Sequence, residues 1–165
     1  MRYNIGDAIV YPMHGAGVIE GIEEKEVLGS LREYYIMRMP YGDMKVMIPL
    51  NNVDGIGIRG VISTAEADEV LESFVSVDTA VNANWNKRFR ENMVKIKSGD
   101  IYEVGAVLKS LMLRDRSKGL STGERKMLSN ARQIFISEMV MAKGLTDTEI
   151  EQLLTDIVDR QLKEA

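Results

Sequence analysis

The chain has 165 residues, 45% of them hydrophobic and 28% charged, a balance that fits a globular protein and excludes a disordered or fibrous one. It contains no cysteine, which excludes disulfides and thiolate metal sites. Met1 to Asp7 lack the apolar core of a signal peptide, and no later apolar run is long enough to span a bilayer, so a cytoplasmic protein is expected.

The first third reads as strands. Ala8-Ile9-Val10-Tyr11, Gly17-Val18-Ile19-Glu20-Gly21-Ile22, Glu33-Tyr34-Tyr35-Ile36-Met37-Arg38-Met39 and Lys45-Val46-Met47-Ile48 are short runs rich in β-formers. Tyr11-Pro12 leading to His14-Gly15, then Gly29-Ser30, then Gly42-Asp43 supply turns between them. Strands this close in sequence, with no helix between them, must pair mostly antiparallel. A meander of this length predicts a small, strongly bent sheet or barrel of Tudor/SH3 size, a module that more often binds a partner than holds a catalytic pocket.

The apolar spacing then turns helical. Ala67, Val70, Leu71 and Phe74 form a stripe after the cap candidates Ser63 and Thr64. Phe89, Met93 and Ile96 form a second, in a basic segment. Ile101, Val104, Val107, Leu108 and Leu111 follow a Ser98-Gly99-Asp100 break. Leu128, Ala131, Ile134, Phe135 and Met139 mark a longer helix that should end at Lys143-Gly144. Ile150, Leu153, Leu154, Ile157 and Val158 mark the last one, opened by Thr146 and Glu149 at capping-box spacing. The expected fold is therefore α+β in two domains, a β barrel over residues 1–60 and a bundle of about five helices over 61–165, with the change of period between Asn51 and Gly60.

The net charge of -4 hides an uneven distribution. Residues 63–83 balance at -5, residues 84–126 at +6 with eleven bases against five acids, and residues 127–165 at -3. A basic middle between acidic flanks is a candidate phosphate-facing surface, although long helices commonly carry solvated charged faces.

Two motifs imitate catalytic sites. Gly55-Ile56-Gly57-Ile58-Arg59-Gly60 fits G-x-G-x-x-G, but a meander precedes it and no parallel strand follows, so a turned interdomain segment is the better reading. Gly119-Leu120-Ser121-Thr122-Gly123 fits G-x-S-x-G, but no strand leads into it and the sole histidine, His14, lies far away in a turn. Ser121 with Glu124 three residues on is better read as a helix capping box. The Glu23-Glu24-Glu26 cluster reads as a solvated hairpin face. No catalytic constellation, metal site, cofactor or small-molecule substrate is expected.

The sole tryptophan lies in Asn82-Ala83-Asn84-Trp85-Asn86-Lys87-Arg88-Phe89-Arg90. Four residues before Phe89, Trp85 is placed to join the core stripe, the usual fate of a tryptophan. It also falls in a helix's first turn, capped by Asn82 or Asn84 and followed by bases, where an aromatic can stack on or wedge between bases. The local sequence leaves both readings open.

The opening Gly6-Asp7-Ala8-Ile9-Val10-Tyr11-Pro12-Met13-His14-Gly15-Ala16-Gly17-Val18 resembles the polymerase-interaction domain of the CarD/CdnL family, which is similar in turn to a module of transcription-repair coupling factors. Glu33-Tyr34-Tyr35 and Val46-Met47-Ile48-Pro49 continue the resemblance. Asn84-Trp85-Asn86-Lys87-Arg88-Phe89, Ser98-Gly99-Asp100, Leu111, Arg114-Asp115 and Lys118-Gly119-Leu120-Ser121-Thr122-Gly123-Glu124 resemble its helical DNA-binding domain. The resemblance implies a Tudor-like domain docked on the lobe/protrusion of the RNA polymerase β subunit, through an edge that includes Lys25, Val46, Met47 and Ile48. It implies weak, largely non-specific contact of the helical domain with promoter DNA at the upstream edge of the melted bubble, with Trp85 as a minor-groove wedge. Lys87, Arg88, Arg90, Arg114, Arg125 and Lys126 are then the phosphate contacts, and Ser121 opens a helix whose N–H groups face a phosphate. Met47 departs from the arginine frequent at this position in relatives, which removes a charge and a forked donor; Lys25 keeps the charge. The acidic, AT-hook-bearing extension of larger CarD proteins is absent, so the stand-alone CdnL form is the closer likeness. The alternative is a Tudor-like module docking on some other protein, with a helical domain for oligomerisation.

Overall fold

The computed structural model describes residues 2–40, 42 and 44–164. Five strands, β1 (Ala8–Tyr11), β2 (Gly15–Val27), β3 (Ser30–Arg38), β4 (Lys45–Pro49) and β5 (Arg59–Gly60), form one antiparallel sheet in the order β4-β3-β2-β1-β5. A 3-10 turn (Leu50–Asn52) and a short helix α1 (Val53–Ile56) bridge β4 to β5. Five longer helices follow: α2 (Thr64–Ser76), α3 (Trp85–Lys97), α4 (Ile101–Ser117), α5 (Thr122–Lys143) and α6 (Asp147–Glu164). This is the expected fold class, a small antiparallel β module followed by a helical bundle.

Register explains the β core. Ile19 lies opposite Met37, Ile22 opposite Tyr35, and Tyr35 opposite Ile48, so period-two alternation turns these side chains to one face. They pack with Ile9, Val53 and Ile58 into a separate apolar cluster. A bulge between Ile19 and Gly21 bends β2. The hairpin turn is one residue earlier than expected: Val27 already pairs with Ser30, and the loop is Leu28-Gly29 with both φ angles positive. Of the Gly42-Asp43 turn, Asp43 lies outside the described residues. The G-x-G-x-x-G segment makes a tight turn and also contributes regular elements. Gly57 ends α1 in the left-handed region, and Arg59 and Gly60 complete the sheet against Val10 and Ile9.

The helices follow their predicted stripes, except that Leu153 of the α6 stripe is exposed at the edge of its face. Ala67, Val70, Phe74, Ile96, Val104, Leu108, Phe135, Met139, Ile150 and Leu154 belong to a second buried cluster, with Phe74 and Phe135 in tilted ring contact at 5.7 Å. Caps fall where the sequence places them: Ser63 accepts from the Glu66 N–H, Ser121 and Glu124 form a reciprocal capping box, Thr146 and Glu149 bond likewise, and Gly144 ends α5. Lys109 lies within a largely apolar stretch of α4. It is 1% exposed, and its Nζ donates to the Val75 carbonyl in the last turn of α2 at 2.8 Å. Cations are favoured at that end of a helix, while burial lowers the lysine's pKa.

The β1–β2 turn presses on α5. Met13 packs against the helical core, the Ala16 N–H donates to Ser137 Oγ at 2.8 Å, and Gln133 Nε2 donates to the His14 carbonyl at 2.9 Å. Gly15 is at the point of closest approach: its φ is +117°, and a Cβ there would lie 2.4 Å from Ser137 Oγ. Gly15→Ala should therefore lower stability by at least the cost of a strained backbone, about 1–3 kcal/mol. Urea denaturation reads this as a lower midpoint, and an unchanged midpoint would mean that the interface yields freely.

Candidate nucleic-acid interface

The N-termini of α3 and α5 come together, and Trp85 is the bridge. Asn84 caps α3 by accepting from the Lys87 N–H, which makes Trp85 the first helical residue. Its ring stacks on Phe89, centroids 5.0 Å apart and 19° from parallel, and its Nε1 donates to Ser121 Oγ at 3.1 Å. Gly123 makes room for the aromatic pair, since a Cβ there would approach Phe89 to 3.3 Å. The indole remains 42% exposed. It overhangs the helix end, braced from beneath, and does not enter the core.

Arg88 corrects the sequence reading. It is 4% exposed; its Nε and Nη2 donate to the two oxygens of Glu124 at 3.0 and 3.4 Å, and its Nη1 to the Asn82 and Ala83 carbonyls. A guanidinium with four of its five N–H groups committed inside the protein has no face for a phosphate. It lies on the buried row Arg88, Asn92, Ile96, adjacent to the predicted Phe89/Met93/Ile96 stripe. Burial pushes the Glu124 carboxyl up, but the Arg88 hydrogen bond, the Ser121 N–H and the Arg88 charge outweigh it and hold its pKa below the ordinary value.

Ser121 has no hydroxyl capacity left for a phosphate. Its hydroxyl accepts from Trp85 Nε1 and the Glu124 N–H and donates to Glu124 Oε1, which uses its whole hydrogen-bonding capacity. The Glu124 carboxylate occupies this helix start, so an anion there would meet like charge. Ser121 instead positions the indole.

The other bases differ among themselves. Lys87 and Arg90 are exposed on α3, and Arg125 and Lys126 are exposed on the first turn of α5, Arg125 lying 4.0 Å from Asp115. Lys126 lines a groove of about 350 Å³ with Phe89, Met93, Gly123, Met127 and Asn130, directly beside the aromatic pair. Arg114 is partly buried; its Nε makes no hydrogen bond and lies 3.9 Å from Glu124.

On the sheet, β4 is an outer strand that pairs only with β3. Met47 is half-buried on it; Val46 and Ile48 share the inward face, Val46 half-buried against the β core and Ile48 fully buried opposite Tyr35, so the Ile48 side chain serves the core and not a partner. Lys25 is exposed but pairs with Arg32, four residues along β3 from the Ile36 that faces Met47, a separation of about 13 Å. Lys25 thus stands on the projecting half of the hairpin, apart from the β4 edge.

A braced, half-exposed aromatic beside a basic groove, joined to a β module with an open edge strand, is a surface built to bind partners. Comparison with known proteins identifies the family. The family description for the CarD-like/TRCF RID domain matches residues 3–62, and that for the CarD C-terminal domain matches residues 69–155. The chain belongs to the CarD family. It is 40% identical over 149 residues to the "Putative transcription factor YdeB" of Bacillus subtilis (strain 168), an alignment that covers 90% of this chain and 97% of that protein. A solution structure of the 72-residue N-terminal domain of Myxococcus xanthus CarD aligns at 35% identity with 34% of this chain and 76% of its own, with a TM-score of 0.30. No helix among the described residues is long and apolar enough to cross a membrane.

Proposed function

We propose that this CarD-family chain regulates transcription by docking on the lobe/protrusion of the RNA polymerase β subunit and stabilising the open promoter complex, with Trp85 set against DNA at the upstream edge of the bubble. The observation that carries the reading is the seat of Trp85, half-exposed, stacked on Phe89 and pinned by Ser121, with Lys126 lining the groove beside Phe89 and with Lys87 and Arg90 exposed farther round the same helix as Trp85. An aromatic held rigidly among exposed cations suits a deformed base step, because the ordering cost is met before DNA arrives. Lys87, Arg90, Arg125 and Lys126, with the part-exposed Arg114, are the phosphate contacts, and they fix position, not sequence.

Free DNA binding should therefore be weak and salt-sensitive. Each neutralised phosphate contributes about 0.9 to the slope of log K against log salt. Replacing Lys87, Arg90, Arg125 and Lys126 together by Ala should flatten that slope by up to about 3–4 units. Tight, sequence-selective binding to a short duplex at physiological salt would contradict the account and favour a conventional repressor or activator.

Docking is tested by capture of core polymerase with the full chain. The open edge of β4 and the exposed Lys25 on the β2–β3 hairpin support Met47 and Lys25 as contacts, with the part-exposed Val46 beside Met47 on the same edge. Met47→Asp together with Lys25→Glu should sharply reduce capture while leaving the melting curve near that of the parent. Undiminished capture would put the contact on another face of the molecule. Capture of no polymerase by the parent chain would favour a module that docks on another protein.

A further inference from the structure

Arg59 lies within the glycine motif, and its side chain ties several elements together at the junction. Its Nη1 and Nη2 donate to the two oxygens of Glu138 at 2.7 and 2.8 Å. Its Nη1 also donates to the Gly60 carbonyl, and its Nη2 and Nε to the Gly99 carbonyl in the loop before α4. All five guanidinium N–H groups have acceptors, so Arg59 is not a phosphate site. Glu138 is fully buried and also accepts from the Ile62 N–H at 3.1 Å. Gln133 and Ser137, on the same helix, hold the β1–β2 turn.

These contacts all converge on one rod. From Ser121 beneath Trp85 to Ser137 beneath the sheet, α5 runs about 24 Å. One end seats the indole and the other seats the β module.

We propose that Arg59 and Glu138 are positioning residues that lock the β module onto α5, so that the sheet edge and Trp85 are held at one fixed spacing and the action on the promoter is set through that spacing. The inference rests on the polymerase–promoter reading above. The lock fits its task because a bidentate Arg–carboxylate pair fixes direction as well as distance. A helical domain with weak DNA affinity gains most when its tether presents it already oriented.

The test uses the full chain. Arg59→Met combined with Glu138→Gln removes the fork without leaving a buried charge, and the Gln carbonyl still accepts from Ile62. The native chain has no cysteine, so Glu26→Cys on the hairpin and Leu153→Cys on α6 give two unique labelling sites for a spin-label distance distribution. The parent should give one narrow distance and the double variant a broad one. In unlabelled protein at saturating concentration, polymerase capture should be unchanged while the open-complex lifetime falls by about 2- to 30-fold, the range of coupling losses seen when a connecting element is loosened. A narrow distribution in the double variant, or an unchanged lifetime at saturation with only a lower melting point, would reduce the pair to a structural staple and overturn the proposal. Failure of the parent to bind polymerase would instead defeat the functional reading and the promoter part of this proposal with it, and the distance measurement would still report on the lock alone.

Discussion

Arg88→Ala is expected to lower the stability of the protein by about 3–5 kcal/mol, because it strands the Glu124 carboxylate in a site that excludes water. Arg88 and Glu124 are both nearly fully buried, and Arg88 supplies hydrogen bonds to both carboxylate oxygens. By contrast, Lys87→Ala, one residue away and exposed, should stay within about 0.5 kcal/mol of the parent. The double variant Arg88→Met with Glu124→Leu should recover much of the loss, since replacing a buried pair by apolar groups is often neutral. The pH dependence follows from the lowered pKa of Glu124. A carboxylate with a depressed folded pKa contributes stability that is present above its unfolded value, about 4.3, and lost as pH falls through the folded one. Glu124→Gln should remove that acid-range component. Chemical denaturation at neutral pH and near pH 3 measures both effects. A small loss for Arg88→Ala, with a flatter salt slope for DNA binding, would return Arg88 to the phosphate contacts.

Trp85→Ala carries the second large effect, and it should fall on the promoter complex more than on the fold. Losing one base–aromatic stack costs about 1–3 kcal/mol, which at about 1.4 kcal/mol per decade shortens the open-complex lifetime by one to two orders of magnitude. A fully buried aromatic replaced by Ala would cost the fold about 3–5 kcal/mol. Trp85 is 42% exposed and is held chiefly by its ring stack on Phe89 and its hydrogen bond to Ser121, so the fold should lose only about 1–3 kcal/mol. Melting curves beside lifetimes at saturating protein separate the two losses. A large drop in melting temperature with a normal lifetime would retire the wedge.

What the sequence made legible was what local chemistry determines. Period-two runs became β1 to β4, the 3.6-residue stripes became α2 to α6, and Ser63, Ser121, Thr146 and Gly144 became caps because their spacing to backbone partners is fixed within one turn. What escaped depends on the third dimension. Arg88 reads as one more base in a basic run, and only Glu124, 36 residues away, makes it a buried anchor. The row Arg88, Asn92, Ile96 held the one local hint. Arg59 and Glu138 are 79 residues apart, and β5, with two residues, is too short to carry a period. A charged Glu138 inside the apolar run from Ile134 to Met139 was the available signal, since a buried carboxylate needs a partner. Ile48 shows the converse: the resemblance marked the β4 segment as an edge, but alternation within the strand turns this side chain inward.

On the proposed function, the chain holds promoter DNA open while bound to polymerase. The most direct test is the decay of competitor-challenged open complexes formed by purified polymerase on one promoter, with and without saturating chain. Decay should be slower with the parent chain and should return toward the chain-free rate with Trp85→Ala, while both remain bound to polymerase. Equal decay with and without the parent chain, under conditions where it is bound, would contradict the proposed function.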